Sequence, residues 1–242
     1  YTYSVMDDEM HRFEDYSYNT AAFDDNENGI IPFVIPDEVT EYVNQRVFTT
    51  EGLETDTDGN ITGYVGNDSA VYIPDYMVVD NHDGSNSVIK VTGLSEDAFK
   101  GNTNITGVKM SRFITDVPKN AFRGCTNLWD VLFYGSSVGD NAFKDCPLLD
   151  TWDISSAITK LGSNAFGGAK ELIIKAANSS IVKNAVSSGA ADITIGLDKM
   201  SDSIDGNKYT TSKNTKSLTL NAYGTTFKNI VFTSDADKTV IN

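Results

Sequence analysis

The chain has 242 residues, with 34 Asp and Glu against 19 Lys and Arg and a formal charge of −15. That balance disfavours nucleic acid and anionic membrane as partners, because phosphate contacts need a basic surface. No apolar run of about 18 residues is present, so no spanning helix is expected.

Residues 1–19, YTYSVMDDEMHRFEDYSYN, are acidic and Tyr-rich and read as an ordered flank or a partly free leader. The start on Tyr1 fits a processed or engineered mature form, with no signal peptide in view. Over 20–48 two readings stay open. Ala22-Phe23 followed by Ile30, Phe33, Ile35-Pro36 and Val39-Thr40 fits a degenerate coil of the repeat that recurs from Asp97 onward. Alternatively, Val39, Tyr42, Val43 and Val47 fall on one face of a helix over 37–48, with Pro36 at its start. Within this region DDNENG (24–29) matches the opening of a calcium loop, but Ile35 stands where a bidentate Glu is required. The DTDGN run (56–60) lacks the sixth-place Gly, and clusters of this kind are usually turns.

From Asp97 one hexapeptide is written repeatedly: DAFKGN at 97, NAFRGC at 120, NAFKDC at 141, NAFGGA at 164, and NAVSSG at 184 with Val186 in the Phe place. The marker alanines Ala98, Ala121, Ala142, Ala165 and Ala185 lie 23, 21, 23 and 20 residues apart. This period falls in the range of leucine-rich repeats, in which each unit is a strand plus a return segment. The strand pattern is present: Ile105-x-x-Val108-x-Met110, Leu128-x-x-Val131-x-Phe133 and Leu149-x-x-Trp152-x-Ile154. In each the last two apolar positions are two apart, as one buried strand face requires. A second apolar cluster follows each strand: Phe113, Ile114 and Val117, then Val138, then Ile158 and Leu161. The chain then turns near a small residue, Gly139 or Gly162.

Equivalent positions of stacked coils lie about 4.8 Å apart. Phe99, Phe122, Phe143 and Phe166 are therefore expected to form one internal column closing at Val186. Cys125 and Cys146 occupy one place in adjacent coils, with Asn102 and Ala169 on either side. They are buried free thiols or a cross-coil disulfide; both readings fit the frame.

The recurring pattern Leu-x-x-Val-x-Ile-Pro-x-x-Val-Thr-x-Ile-Gly-x-x-Ala-Phe-x-x-Cys resembles the BspA-like leucine-rich repeat family of bacterial surface proteins. ITKLGSNAFGGA (158–169) and IKVTGLSEDAFKGN (89–102) are similar to its second half. DGNITGYVGNDSAVYIP (58–74) is similar to the segment that leads into such arrays, ending on Ile73-Pro74. The central coils depart from the pattern, with Met110-Ser111, Phe133-Tyr134 and Ile154-Ser155 where Ile-Pro is usual. The 131–142 coil is short, and 75–87 is a polar insertion. The resemblance implies an irregular leucine-rich-repeat solenoid of mostly short parallel strands with short helical turns and a β-rich C-terminal cap. Three regions are expected: a flank over 1–57 with a degenerate repeat or capping helix, the repeat array over 58–195, and the cap over 196–242. In the cap ITIGL (193–197), SLTLNAY (217–223), NIVFTS (229–234) and KTVIN (238–242) read as strands continuing the stack. The end on a strand fits either a true terminus or a larger parent chain.

The search for chemistry yields one motif. GSSVG (135–139) satisfies Gly-x-Ser-x-Gly, centred on Ser137, but that arrangement needs a His after the Ser. His11 and His82 both precede it. No catalytic, metal or cofactor site is expected. Positions alternating with the core face outward on the central strands: Lys109 and Ser111, Leu132 and Tyr134, Asp153 and Ser155. The middle coil presents apolar groups there, so Trp129, Leu132 and Tyr134, flanked by Asp130 and Lys109, form a candidate contact patch. The competing reading twists these side chains into the core or covers them with an insertion. The resemblance implies a non-enzymatic, extracellular or surface-attached module that adheres to host matrix or to other cells through a protein or glycan, acting as a monomer. Two further roles remain: a structural spacer in a larger surface protein, and a glycan-binding module using Trp129 and Tyr134.

Overall fold

The computed structural model describes residues 2–3, 16–17, 50–80, 83, 85–149, 153–198, 200–201, 208–222, 231–233 and 238–241. The coil or helix expected over 20–48, the 24–29 run and Trp152 lie outside the described residues. Thr2–Tyr3 and Tyr16–Ser17 form a short antiparallel pair.

Parallel pairing between coils dominates the rest. Ala70–Tyr72, Gly107–Lys109 and Asp130–Leu132 form one ladder, with Val71, Val108 and Val131 in register. On another side of the coils Asp116–Val117, Ser137–Val138 and Lys160–Leu161 form a second, so Val117, Val138 and Leu161 stack. A five-stranded parallel ladder then runs through Asp153–Ile158, Glu171–Ala176, Asp192–Gly196, Ser217–Asn221 and Lys238–Ile241. Lys208–Thr210 pairs in parallel with Val231–Thr233. The strands expected after residue 193 therefore do continue the stack. At the N-terminal side Leu53–Thr55 and Asn60–Tyr64 form a hairpin, and the second of these strands pairs in parallel with Gly93–Leu94. The insertion expected at 75–87 is itself ordered as an antiparallel hairpin of Tyr76–Asp80 with Asn86–Lys90. Met77 is buried, and Ile89 packs on the core, which is why this polar stretch folds.

The hexapeptide builds the core. Phe99, Phe122, Phe143 and Phe166 stack with centroid separations of 4.9, 5.1 and 5.6 Å and planes within 10°. The turns pair as well. Phe99, Phe122 and Phe143 each donate an N–H to the Ala carbonyl of the next coil, Ala121, Ala142 and Ala165, at 2.8, 2.8 and 2.7 Å. This pairing needs a backbone that ordinary residues resist. The first position of the hexapeptide has positive φ in all four coils: Asp97 63°, Asn120 57°, Asn141 55° and Asn164 51°. The fifth does too, in Gly101, Gly124, Asp145 and Gly168. Asn, Asp and Gly tolerate this left-handed region, which other residues enter only at a cost. The motif therefore records two backbone turns and one stacked ring.

The fifth copy departs from the frame. Residues 184–186 form the last turn of a helix, Ser179–Val186, whose N-cap Asn178 accepts the Ile181 N–H at 3.0 Å. Ile181, Val182, Ala185 and Val186 are its buried face. The run has apolar pairs at helical spacing and an Asn cap, so it folds as a helix instead of a turn. Val186 is buried there, on the helix. Asn184 Nδ2 donates to the Leu161 carbonyl at 2.6 Å, occupying the edge of the Lys160–Leu161 strand.

Phe122→Ala removes a ring with stacked neighbours on both sides and is expected to cost about 3–5 kcal/mol, with Phe122→Leu well under half of that, both read by urea unfolding. Gly101 and Gly162 separate two causes of glycine dependence. A Cβ at Gly101 meets no atom within 4 Å, but φ is +72°, so Gly101→Ala should cost about 1–2 kcal/mol from backbone strain. A Cβ at Gly162 runs into Asp140 N and the Gly139 carbonyl carbon, so Gly162→Ala is expected to be the more damaging by the same measurement.

Candidate functional site

The outward face of the first ladder carries the sequence-derived patch. Tyr72, Lys109 and Leu132 share one row across three parallel strands. Trp129, Leu132 and Tyr134 are 46, 41 and 54% exposed, so the central coil does present them outward. Val131 between them is buried, and Phe133 packs against the core. Leu148, 48% exposed, adds an apolar group from the next coil. It sits where earlier coils place Asn104 and Asn127, whose side-chain amides donate to the Asn67 and Thr103 carbonyls.

Two polar residues flank this surface. Asp130 is half-buried, and burial pushes its carboxyl above the ordinary range, an effect that the Val131 N–H opposes. Lys109 lies with Nζ 5.1 Å from the Tyr72 ring centroid, a cation–π contact that holds the ammonium along the row. The side chains of Asp153 and Ser155 are outside the described residues. Ser111 corrects the sequence reading: expected to face out, it is 1% exposed. Its strand ends at Lys109, and its hydroxyl turns inward to donate to the Val91 carbonyl at 2.9 Å and to Asp75 at 3.1 Å.

The corner beyond these strands was not anticipated. Phe113 lies edge-on to Tyr76, centroids 5.8 Å apart, with Lys90 Nζ 3.7 Å and Arg112 Cζ 5.0 Å from its own centroid. Arg112 Nε donates to Asp75 at 2.7 Å. The sequence signal was available only as isolated residues, because the hairpin of Tyr76–Asp80 and Asn86–Lys90 is what carries Lys90 to Phe113.

The weaker motifs find structural roles. Ser137 is a buried member of the second ladder, and its hydroxyl bond is the main cause of the lowered Asp116 carboxyl. A Cβ at Gly139 would meet Lys119 N at 2.7 Å, so this glycine serves coil stacking. In the 56–60 run both Asp56 carboxylate oxygens are engaged within its own turn. Oδ1 accepts the Asp58 and Asn60 N–H groups, and Oδ2 accepts the Asn60 side-chain amide. Among the described residues no group of three His, Cys, Asp or Glu converges in a way that could hold a metal ion.

Cys125 and Cys146 are free and buried. Each thiol donates at 3.1 Å to a carbonyl one coil earlier, Cys125 to Phe99 and Cys146 to Phe122. Burial raises both thiols, Cys146 to about 12 and Cys125 further.

Stacked parallel coils, a period near 22 residues and one recurrent turn define a leucine-rich-repeat solenoid. Residues 85–173 and 136–241 match the family model for the BspA type leucine rich repeat region, in six copies. The chain belongs to this family. Among solved structures, a leucine rich repeat protein of T. pallidum is similar at 18% identity over 80% of this chain and 83% of its own, with a TM-score of 0.44. A leucine-rich repeat protein from Bacteroides ovatus is similar at 14% identity over 81% and 76%, TM-score 0.43. A leucine rich cell surface protein from Faecalibacterium prausnitzii is similar at 18% identity over 78% of this chain and 55% of its own, TM-score 0.48. No curated protein matches the chain. Among the described residues no helix is long and apolar enough to cross a membrane.

The thiols make a pH prediction. Their folded pKa values exceed the ordinary 9.0, so their contribution to stability is complete below that value and is lost as pH rises from there toward 12. Thermal unfolding should show a loss of Tm above pH 9 that Cys125→Ala/Cys146→Ala reduces. Native chain should stay unlabelled by a thiol reagent at neutral pH and react at both positions once unfolded.

Proposed function

We propose that this chain is a non-enzymatic surface or secreted module that binds a protein partner in adhesion. Trp129, Leu132 and Tyr134 are its contact face. The observation that carries this reading is the clustering of exposed apolar groups. Of the six large hydrophobic side chains exposed among the described residues, four come from residues 129–148, two adjacent coils. A monomeric surface rarely concentrates apolar groups in this way without a use for them. Two of the four are Trp and Tyr, the types that dominate interface energetics. Flanking Asp130 and Lys109 supply a polar rim. Membership of the BspA type family, whose members are commonly surface protein-binding modules, supports both the surface location and the binding role. Matrix proteins and proteins of neighbouring cells are the partner class.

The test is a binding screen of the folded chain against immobilised matrix proteins. Trp129→Ala/Tyr134→Ala is expected to weaken binding at least tenfold, with Tm unchanged because both rings are exposed. Absence of binding by a chain that unfolds cooperatively would overturn the adhesive reading in favour of a structural spacer.

A further inference from the structure

Residues 1–84 hold 19 acidic and 2 basic side chains, whereas residues 85–242 hold 15 and 17. The charge of −15 is thus an average over an acidic N-terminal third and a remainder close to neutral. The boundary falls inside the inserted hairpin, so the exclusion of polyanions on net charge weakens only on the surface beyond it, where Lys90, Lys109, Arg112 and Phe113 lie, while Tyr72, Asp75 and Tyr76 belong to the acidic side.

One corner of that surface collects cations on aromatic rings. Lys90 and Arg112 share the Phe113 ring, Tyr76 closes its edge, and Lys109 lies over Tyr72 nearby on the same coil as Arg112. Asp75 is paired with Arg112 at 2.7 Å. It is committed to structure, since it also accepts the Arg112 N–H at 3.0 Å and the Ser111 hydroxyl at 3.1 Å. Arg112 spends Nε on Asp75, one of five guanidinium donors, and its side chain is 66% exposed. Two like charges held on one ring repel each other, and an arriving anion relieves that repulsion. The rings fix the cationic groups in place, so little side-chain entropy is lost when an anion is captured.

We propose that the Tyr76–Phe113 corner, with Lys90 and Arg112 and with Lys109 beside it, binds the carboxylates of an acidic polysaccharide built from uronate sugars. The partner's charge density follows from the site's. A nucleic acid draws its affinity from many phosphate contacts, which this sparse set cannot supply. A uronate polymer carries isolated carboxylates between neutral sugar faces. Such spacing suits a corner that offers three cations on two aromatic rings and no dense cationic stripe. The site adjoins the Trp129, Leu132 and Tyr134 face through Lys109 and uses none of those three residues.

Affinity electrophoresis of the full chain in gels containing hyaluronan or polygalacturonate, with neutral dextran as control, decides the matter. The expected result is retardation by the two uronate polymers alone, abolished at high salt, and weakened about tenfold by Lys90→Gln. Lys90 is exposed, so this variant keeps its Tm. Trp129→Ala/Tyr134→Ala should be retarded like the parent, which separates this proposal from the adhesive face. No retardation by either polymer, equal retardation of Lys90→Gln, or a preference for heparin or for an acidic protein over both uronate polymers would each overturn it.

Discussion

Every coil of this molecule must place its main-chain donors and acceptors opposite those of the next coil, about 4.8 Å away. The rest of the structure follows from that constraint. Because the pairing includes the turns as well as the strands, each turn must repeat the same left-handed steps. Asp97, Asn120, Asn141 and Asn164 are residues able to take them. Because equivalent side chains are forced to one spacing, a Phe in each turn becomes the stack of Phe99, Phe122, Phe143 and Phe166. Ring stacking and backbone pairing thus reinforce each other, and loss of either misaligns the other.

The same constraint explains where recognition can arise. A strictly periodic surface offers the same group in every coil, so a distinct contact needs a local break in the pattern. The Asn104 and Asn127 amides tie each coil to the one before, and Leu148 abandons that bond for an exposed apolar side chain. Trp129, Leu132 and Tyr134 break the polar outward pattern in the preceding coil. The inserted hairpin at 76–90 makes a third break and brings Lys90 onto Phe113. Departures from the repeat, more than the repeat itself, give this surface its distinct contacts.

The period, the Phe column and the parallel stack were legible in the sequence because each is written several times at one spacing. The patch residues were legible because strand alternation assigns a side to every position while the strand lasts. Ser111 shows the limit of that rule. Once the strand ends at Lys109, the direction of the next side chain is set by what packs over the corner, here Val91 and Asp75, which are remote in sequence. Two other features were hidden for related reasons. The 184–186 copy looks like its predecessors, but the cap at Asn178 and the apolar pairs before it favour a helix that a six-residue frame does not register. The hairpin at 76–90 reads as polar, and only Met77 and Ile89 reveal that one face is covered.

The paired thiols carry a consequence for biogenesis. Cys125 and Cys146 are sealed in the array by bonds to the carbonyls of Phe99 and Phe122, so joining them by oxidation would disturb two coil junctions at once. Shelter of this kind is gained early, since each junction joins residues only one repeat apart and closes without waiting for distant parts of the chain. Unwanted disulfide chemistry is therefore confined to the short interval before neighbouring coils meet. In an oxidising compartment the redox outcome is governed by the speed of that encounter.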